Sequence, residues 1–200
     1  KEEELKITEE KVISPGISLK QKNKNTDVIR IGYDSPKTPS RIFEYNVKTK
    51  EKKIVKEQII PSGHDRDNYI VERLNCESHD GRQIPMTITY HKQTKLDGSA
   101  HVLLYGYGSY GMSMGPSFSS TRLSLIDRNI IWVTCHIRGG MERGMRWWKE
   151  GKMLNKKNTF SDFITCAKFL IEKKYTSKKK IIAFGGSAGG LLLGSTINQI

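Results

Sequence analysis

The 200-residue sequence predicts an α/β domain preceded by short antiparallel strands. Three observations carry that expectation. Residues 1–67 hold only short alternating runs split by polar turns. From residue 101 onward, apolar runs of strand length alternate with helical patterns, the signature of parallel strands joined by crossover helices. Near the end, "IIAFGGSAGG" sets one serine between two glycine pairs, between an apolar run and a helical one.

The elements follow in order. "DVIRIGY" alternates weakly, and "RIFEYNV" and "KKIVKEQ" flank the polar turn "KTKE", a hairpin pattern. "YIVERLNCES" and "QIPMTITYH" form a second pair around Asp80-Gly81, a favoured hairpin turn. "AHVLLYGYG" is a buried strand ending in glycines, "SSTRLSLIDR" suits a helix, and "IIWVTCHI" is another buried strand. A long loop with an exposed Trp147-Trp148 pair is expected next. Phe160, Phe163, Ile164, Ala167, Leu170 and Ile171 then keep the i, i+3, i+4 rhythm of one apolar helix face, with Thr159 and Asp162 as a capping box. Residues 181–184 are expected as a short buried strand, parallel to the strand before the helix. The boundary between the β region and the α/β region falls within residues 61–68, giving units of 1–67 and 68–200.

Gly185, Ser187 and Gly189 fit G-x-S-x-G, the nucleophile elbow. So sharp a turn forces the serine into unfavourable backbone angles. It also brings strand and helix together, so side chains two residues to either side would collide. The strain exposes the Ser187 hydroxyl as a candidate nucleophile. The amide N–H of Ala188, at the start of the helix, is a candidate oxyanion donor.

"GYGSYG" reads literally as G-x-G-x-x-G after a strand. The dinucleotide fingerprint needs its third glycine to open a helix that holds a pyrophosphate. Here Gly115 and Pro116 stop a helix, and no acidic residue ends a following strand to hold a ribose. The loop better suits the second oxyanion donor that such a turn needs, with the Tyr107 phenol as the candidate.

The formal net charge is +13, from 34 Lys plus Arg against 21 Asp plus Glu. The lysines are scattered and accompany no zinc spacing or nucleic-acid motif, so nucleic acid is not expected as a partner. Cys76, Cys135 and Cys166 have no close spacing, which suits reduced thiols in a cytoplasmic protein. "KEEELKITEE" is charged throughout and no run is long enough to cross a bilayer, so neither a signal peptide nor membrane association is expected. No cofactor or metal is expected.

"LLYGYGSYG", "SFSSTRLSLIDR", "HIRGG", "EGKMLNKKNTFSDF", "YTSKKKI" and "GGSAGGLLLGSTINQ" occur in the order seen in the prolyl oligopeptidase family of serine peptidases, which this sequence resembles densely over residues 104–199. The resemblance implies an incomplete α/β-hydrolase domain preceded by the last strands of a β-propeller. It implies hydrolysis of short peptides after Lys or Arg, with Ser187 as nucleophile and Tyr107 and the Ala188 N–H as oxyanion donors. The Lys/Arg-cleaving branch carries acidic residues shortly after the "YGYGSYG" loop. Gly115 and Ser117 stand in that stretch here, so a secondary basic subsite is not expected there.

The order of such triads is Ser, then Asp or Glu, then His. The thirteen residues after Ser187 contain none of these acids or bases, and all five histidines precede it. His136 ends a strand near the sheet top but reads as structural. The expectation is therefore a fragment, inactive alone for want of a base, whose partners are short basic peptides in the parent enzyme and a downstream polypeptide completing the domain. The alternative is a non-catalytic binding protein of the same fold.

Overall fold

The computed structural model describes residues 8–18 and 25–199. The charged opening at residues 1–7 lies outside the described residues. The chain divides into two compact units, one of residues 1–66 with 116–119, the other of residues 67–115 with 120–200. Among the described residues no helix is long and apolar enough to cross a membrane.

The first unit is an antiparallel sheet in sequence order, made of β1 (Ser14–Ser18), β2 (Val28–Asp34), β3 (Arg41–Asn46) and β4 (Lys52–Glu57). Alternation along β2 and β3 turns Ile31, Tyr33 and Phe43 inward, where the Tyr33 and Phe43 rings stack at 5.4 Å. The unit's later segment is tied in by the Phe118 amide, which donates to the Asp34 carboxylate at 2.6 Å.

The second unit is a partial α/β domain. Its strands are β5 (Tyr69–Glu77), β6 (Gln83–His91), β7 (His101–Tyr105), β8 (Ile130–Cys135) and β9 (Ile181–Phe184), in the order β5-β6-β8-β7-β9. β5, β6 and β8 pair antiparallel, and β8 and β9 both run parallel to β7. α1 (Ser120–Ile126) connects β7 to β8, and α3 (Lys156–Glu172) connects β8 to β9. The short α2 (Met145–Lys149) lies between β8 and α3, and α4 (Ala188–Ile197) follows β9. Because β8 and β9 flank β7 on opposite sides, right-handed crossovers send α1 and α3 to opposite faces. The strand order also reverses at β7, and the crevice beyond such a reversal is where open α/β sheets bind ligands.

The core follows the apolar patterns. Val102 and Leu104 on β7, Ile131 and Val133 on β8, and Phe163, Cys166 and Leu170 on α3 are buried together. The three cysteines, far apart in sequence, are all buried and free, and the Cys76 and Cys166 sulfurs lie 3.6 Å apart.

Three expectations are corrected. β9 is not buried: Ile182 and Phe184 are 47% and 51% exposed. It is the last strand of the sheet, paired on one edge only among the described residues, and Ala183 between them is exposed as well. Trp147 is not exposed, because α2 turns it inward and its indole N–H donates to the His136 carbonyl at 2.9 Å. Thr159 and Asp162 do not cap α3, which starts earlier with Asn155 as its N-cap residue. Thr159 instead donates to the Arg138 carbonyl at 2.8 Å.

Asp162 has a stronger partner in Arg138, and both are fully buried. The guanidinium donates from Nε to Oδ2 at 2.8 Å and from Nη2 to Oδ1 at 2.6 Å, a bidentate pair. Its Nη1 reaches Asp80 in the β5–β6 turn at 2.5 Å, and Ser78 donates to Asp162 at 2.7 Å. Burial by itself would lower the arginine pKa, but the bonds to Asp162 and Asp80 outweigh it and hold the charge.

His136 is equally buried. Its Nε2 accepts from Arg73 and meets the Thr87 hydroxyl, both at 2.8 Å, which puts the proton of the neutral ring on Nδ1. Nδ1 faces Glu142 at 3.6 Å, beyond hydrogen-bond reach. Burial pushes the imidazole pKa down, with Glu142 pulling it back and Arg73 pushing further down.

Two outcomes follow. Arg138→Met leaves Asp162 as an unpaired buried charge and should cost about 3–5 kcal/mol, read from the denaturant midpoint. The lowered His136 pKa means that the folded chain refuses a proton the unfolded chain accepts. Its contribution is complete above the ordinary value of 6.5 and is lost as pH falls through the folded value. Urea unfolding at pH 7 and pH 5 should therefore show a larger loss of stability in the native sequence than in His136→Gln.

Candidate active site

β9 ends at Phe184 and α4 begins at Ala188, so three residues reverse the chain. Ser187 stands at the crest with φ 55° and ψ −118°, a backbone conformation that costs a residue with a side chain about 1–3 kcal/mol. Its side chain is exposed. The turn is closed by the Gly189 amide donating to the Gly186 carbonyl and the Gly190 amide donating to the Ser187 carbonyl, both at 2.8 Å.

The reason for the glycines is a backbone contact. A Cβ on Gly185 would lie 2.9 Å from the carbonyl oxygens of both Gly106 and Gly189, and one on Gly189 would lie 2.8 Å from the Gly106 oxygen. The collision that the spacing predicts is thus with the end of β7 as well as across the elbow. The Gly106 amide donates to the Phe184 carbonyl at 3.2 Å, carrying the β7–β9 pairing up to the turn.

Gly106 and Gly108 are accounted for by packing. A Cβ on Gly106 would strike Phe163 at 2.7 Å and Leu192 at 2.8 Å, and one on Gly108 would strike Thr159 at 2.5 Å. No helix opens at Gly111; α1 begins only at Ser120. The tight seating brings Tyr107 beside the elbow. Its Cδ2 lies 3.8 Å from where a Gly189 Cβ would stand, and its ring is 6.5 Å from that of Tyr110.

Ser187, Ala188 and Leu191 form one wall of a cleft of about 820 Å³. Ser109 and Tyr110, from the loop after β7, form another. The third comes from the segment between β8 and α3 through Trp148, Lys152, Met153 and Lys156. That segment is held from below by the Arg138, Thr159 and Trp147 contacts.

Two lysines and no carboxylate line the cleft. Lys156 donates to the Gly108 carbonyl at 2.5 Å and the Ser109 hydroxyl at 2.8 Å, and burial pushes its pKa down. The Lys152 ammonium sits 3.6 Å from the centre of the Trp148 ring, a cation–π contact. The N-terminus of α4 adds positive potential next to Ser187. No histidine lines the cleft, and His136 is turned into the polar cluster with Arg73 and Thr87. Among the described residues no cluster of three or more His, Cys, Asp or Glu is placed to hold a metal.

The structure brings Ser187, Ala188 and Tyr107, the residues expected from sequence, to the neighbouring ends of β7 and β9; Ser187 and Ala188 line the cleft and Tyr107 does not. Sequence reading missed the third wall. The only signal for Lys156 was its place in "LNKKNTF", where the helix was expected to begin later.

Known proteins match most of the chain. The sequence profile of the prolyl oligopeptidase family matches residues 116–200. Dipeptidyl aminopeptidase BI of Pseudoxanthomonas mexicana is 44% identical over 192 residues, covering 96% of this chain and 26% of that protein. Protease 2 of Moraxella lacunata is 42% identical over 181 residues, covering 90% of this chain and 26% of that protein. Oligopeptidase B from Leishmania major superposes with a TM-score of 0.86 at 38% identity, covering 96% of this chain and 27% of that structure. The chain spans 26% of the length of each of these two curated relatives. Its second unit is an incomplete α/β-hydrolase domain, and the chain is similar to the prolyl oligopeptidase family, whose profile matches its residues 116–200.

Proposed function

We propose that this chain is the nucleophile-bearing segment of a serine oligopeptidase that cleaves short peptides after Lys or Arg. The observation that carries the reading is Ser187, exposed at a strained strand-to-helix turn and opening into a cleft. The Lys/Arg preference rests on the likeness to oligopeptidase B. In this reading residues 1–67 are the closing strands of a β-propeller, residues 68–200 begin the catalytic domain, and the enzyme works in the cytoplasm.

In the proposed reaction the Ser187 hydroxyl oxygen attacks the scissile carbonyl carbon while its proton passes to a base. The carbonyl oxygen becomes an oxyanion, met by the Tyr107 hydroxyl and the Ala188 N–H. The C–N bond then breaks, the leaving amine takes the proton, and water hydrolyses the acyl-serine. No histidine or carboxylate lines the cleft to accept the first proton. The base and its orienting carboxylate are accordingly proposed to come from a downstream part of the parent enzyme, with the uncovered β9 edge as the place it completes. The same lack of a base favours a second reading, a peptide-binding protein of this fold without catalysis.

A fluorophosphonate probe separates the two, since only an activated serine reacts. Alone, the 200-residue chain should turn over an arginyl amide no faster than its Ser187→Ala variant. Mixed with that downstream part it should be labelled and active, both dependent on Ser187; absence of labelling in that mixture selects the binding reading. In the active mixture Tyr107→Phe should lower kcat about 10²–10³-fold with a smaller change in KM, as loss of one oxyanion donor does.

A further inference from the structure

We propose that Lys152 and Lys156 form a carboxylate-binding subsite beside Ser187, so that the cleft selects peptides carrying an anionic group next to the bond held at the serine. This rests on reading the cleft as a peptide site.

The argument starts from charge that nothing balances. Lys156 is half-buried, and its ammonium meets only neutral acceptors, the Gly108 carbonyl and the Ser109 hydroxyl. An ammonium has three N–H donors, so one remains for a ligand. Lys152 rests against the Trp148 ring, which attracts a cation without neutralising it. Neither lysine forms an ion pair with a carboxylate among the described residues, although surface lysines such as Lys48 do, at 2.9 Å from Asp27. The burial that lowers the Lys156 pKa is a penalty that an incoming carboxylate would relieve.

The position of these charges gives them a use. Both lysines line the same cleft as Ser187 and Ala188, and the N-terminus of α4 points its partial positive charge into that space. The apolar surface beside them, from Trp148, Met153 and Leu191, suits the body of a short peptide. A cationic side chain would be repelled from this wall, so a Lys or Arg of the substrate must lie elsewhere. A carboxylate is attracted, and it can be supplied in two ways, by the free C-terminus of a short peptide or by an Asp or Glu side chain.

The test is direct binding to the 200-residue chain at low salt, followed by Trp148 fluorescence or the NMR signals of the Ala188 and Gly189 amides. The probes are N-acetylated Gly-Ala-Ala as the free acid, the same peptide as its amide, and the amide of Gly-Asp-Ala. The free acid, the Asp amide or both should bind about three- to fivefold more tightly than the uncharged amide, the range of a partly exposed ion pair, and the advantage should fade in high salt. Which of the two acidic peptides gains identifies the source of the carboxylate. Lys152→Gln, at a partly exposed position, should shrink the advantage; Lys156→Gln should abolish it and Lys156→Arg should retain it. Equal binding of all three peptides, no binding of any, or an advantage that survives both Gln variants overturns the proposal. Ser187→Ala should leave the preference intact. Failed fluorophosphonate labelling therefore removes the peptidase reading without touching the subsite.

Discussion

One backbone oxygen sets the geometry of the site. The Gly106 carbonyl, at the end of the central strand, lies where any side chain on Gly185 or Gly189 would have to go. Removing both side chains lets the elbow settle onto that strand, and the settled elbow holds Ser187 in its strained conformation. The same contact carries Tyr107 to the flank of the helix start. The two glycine motifs, some eighty residues apart in the chain, are two halves of one interface.

The second requirement is a rigid support for the cleft's third wall. The segment from β8 to α3 has little regular structure of its own. It is fixed by Arg138, which clamps Asp162 on α3 and Asp80 in the β5–β6 turn, and by Trp147, folded beneath the chain onto the His136 carbonyl. Buried ion pairs add little net stability compared with apolar packing, yet they admit only one arrangement of their partners. Here that arrangement sets where Trp148, Lys152 and Lys156 meet the cleft.

The uncovered side of the sheet has the same origin as its order. β7 is flanked on both edges and buries Val102 and Leu104 completely, while β9 pairs on one edge only and leaves Ile182 and Phe184 in solvent. Apolar character alone could not distinguish these strands. Both read as short apolar runs, and only their places in the sheet separate a central strand from an edge.

Local rules were enough to read strands β2 to β9, the helices around residues 120 and 165, the elbow and the parallel crossovers, while β1 went unread. Period, turn residues and the steric demand of G-x-S-x-G are properties of neighbouring residues, so the chain by itself determined them. What it could not convey was any contact formed across long sequence distances. Asp162 satisfies a capping pattern locally but is claimed by an arginine from another strand, and Trp147 looks exposed in a polar segment until the fold closes over it. The two lysines at the cleft form no motif at all. Their proximity to Ser187 was decided only by the tertiary structure, because it depends on the fold bringing the start of α3 and the turn after β9 to one cleft.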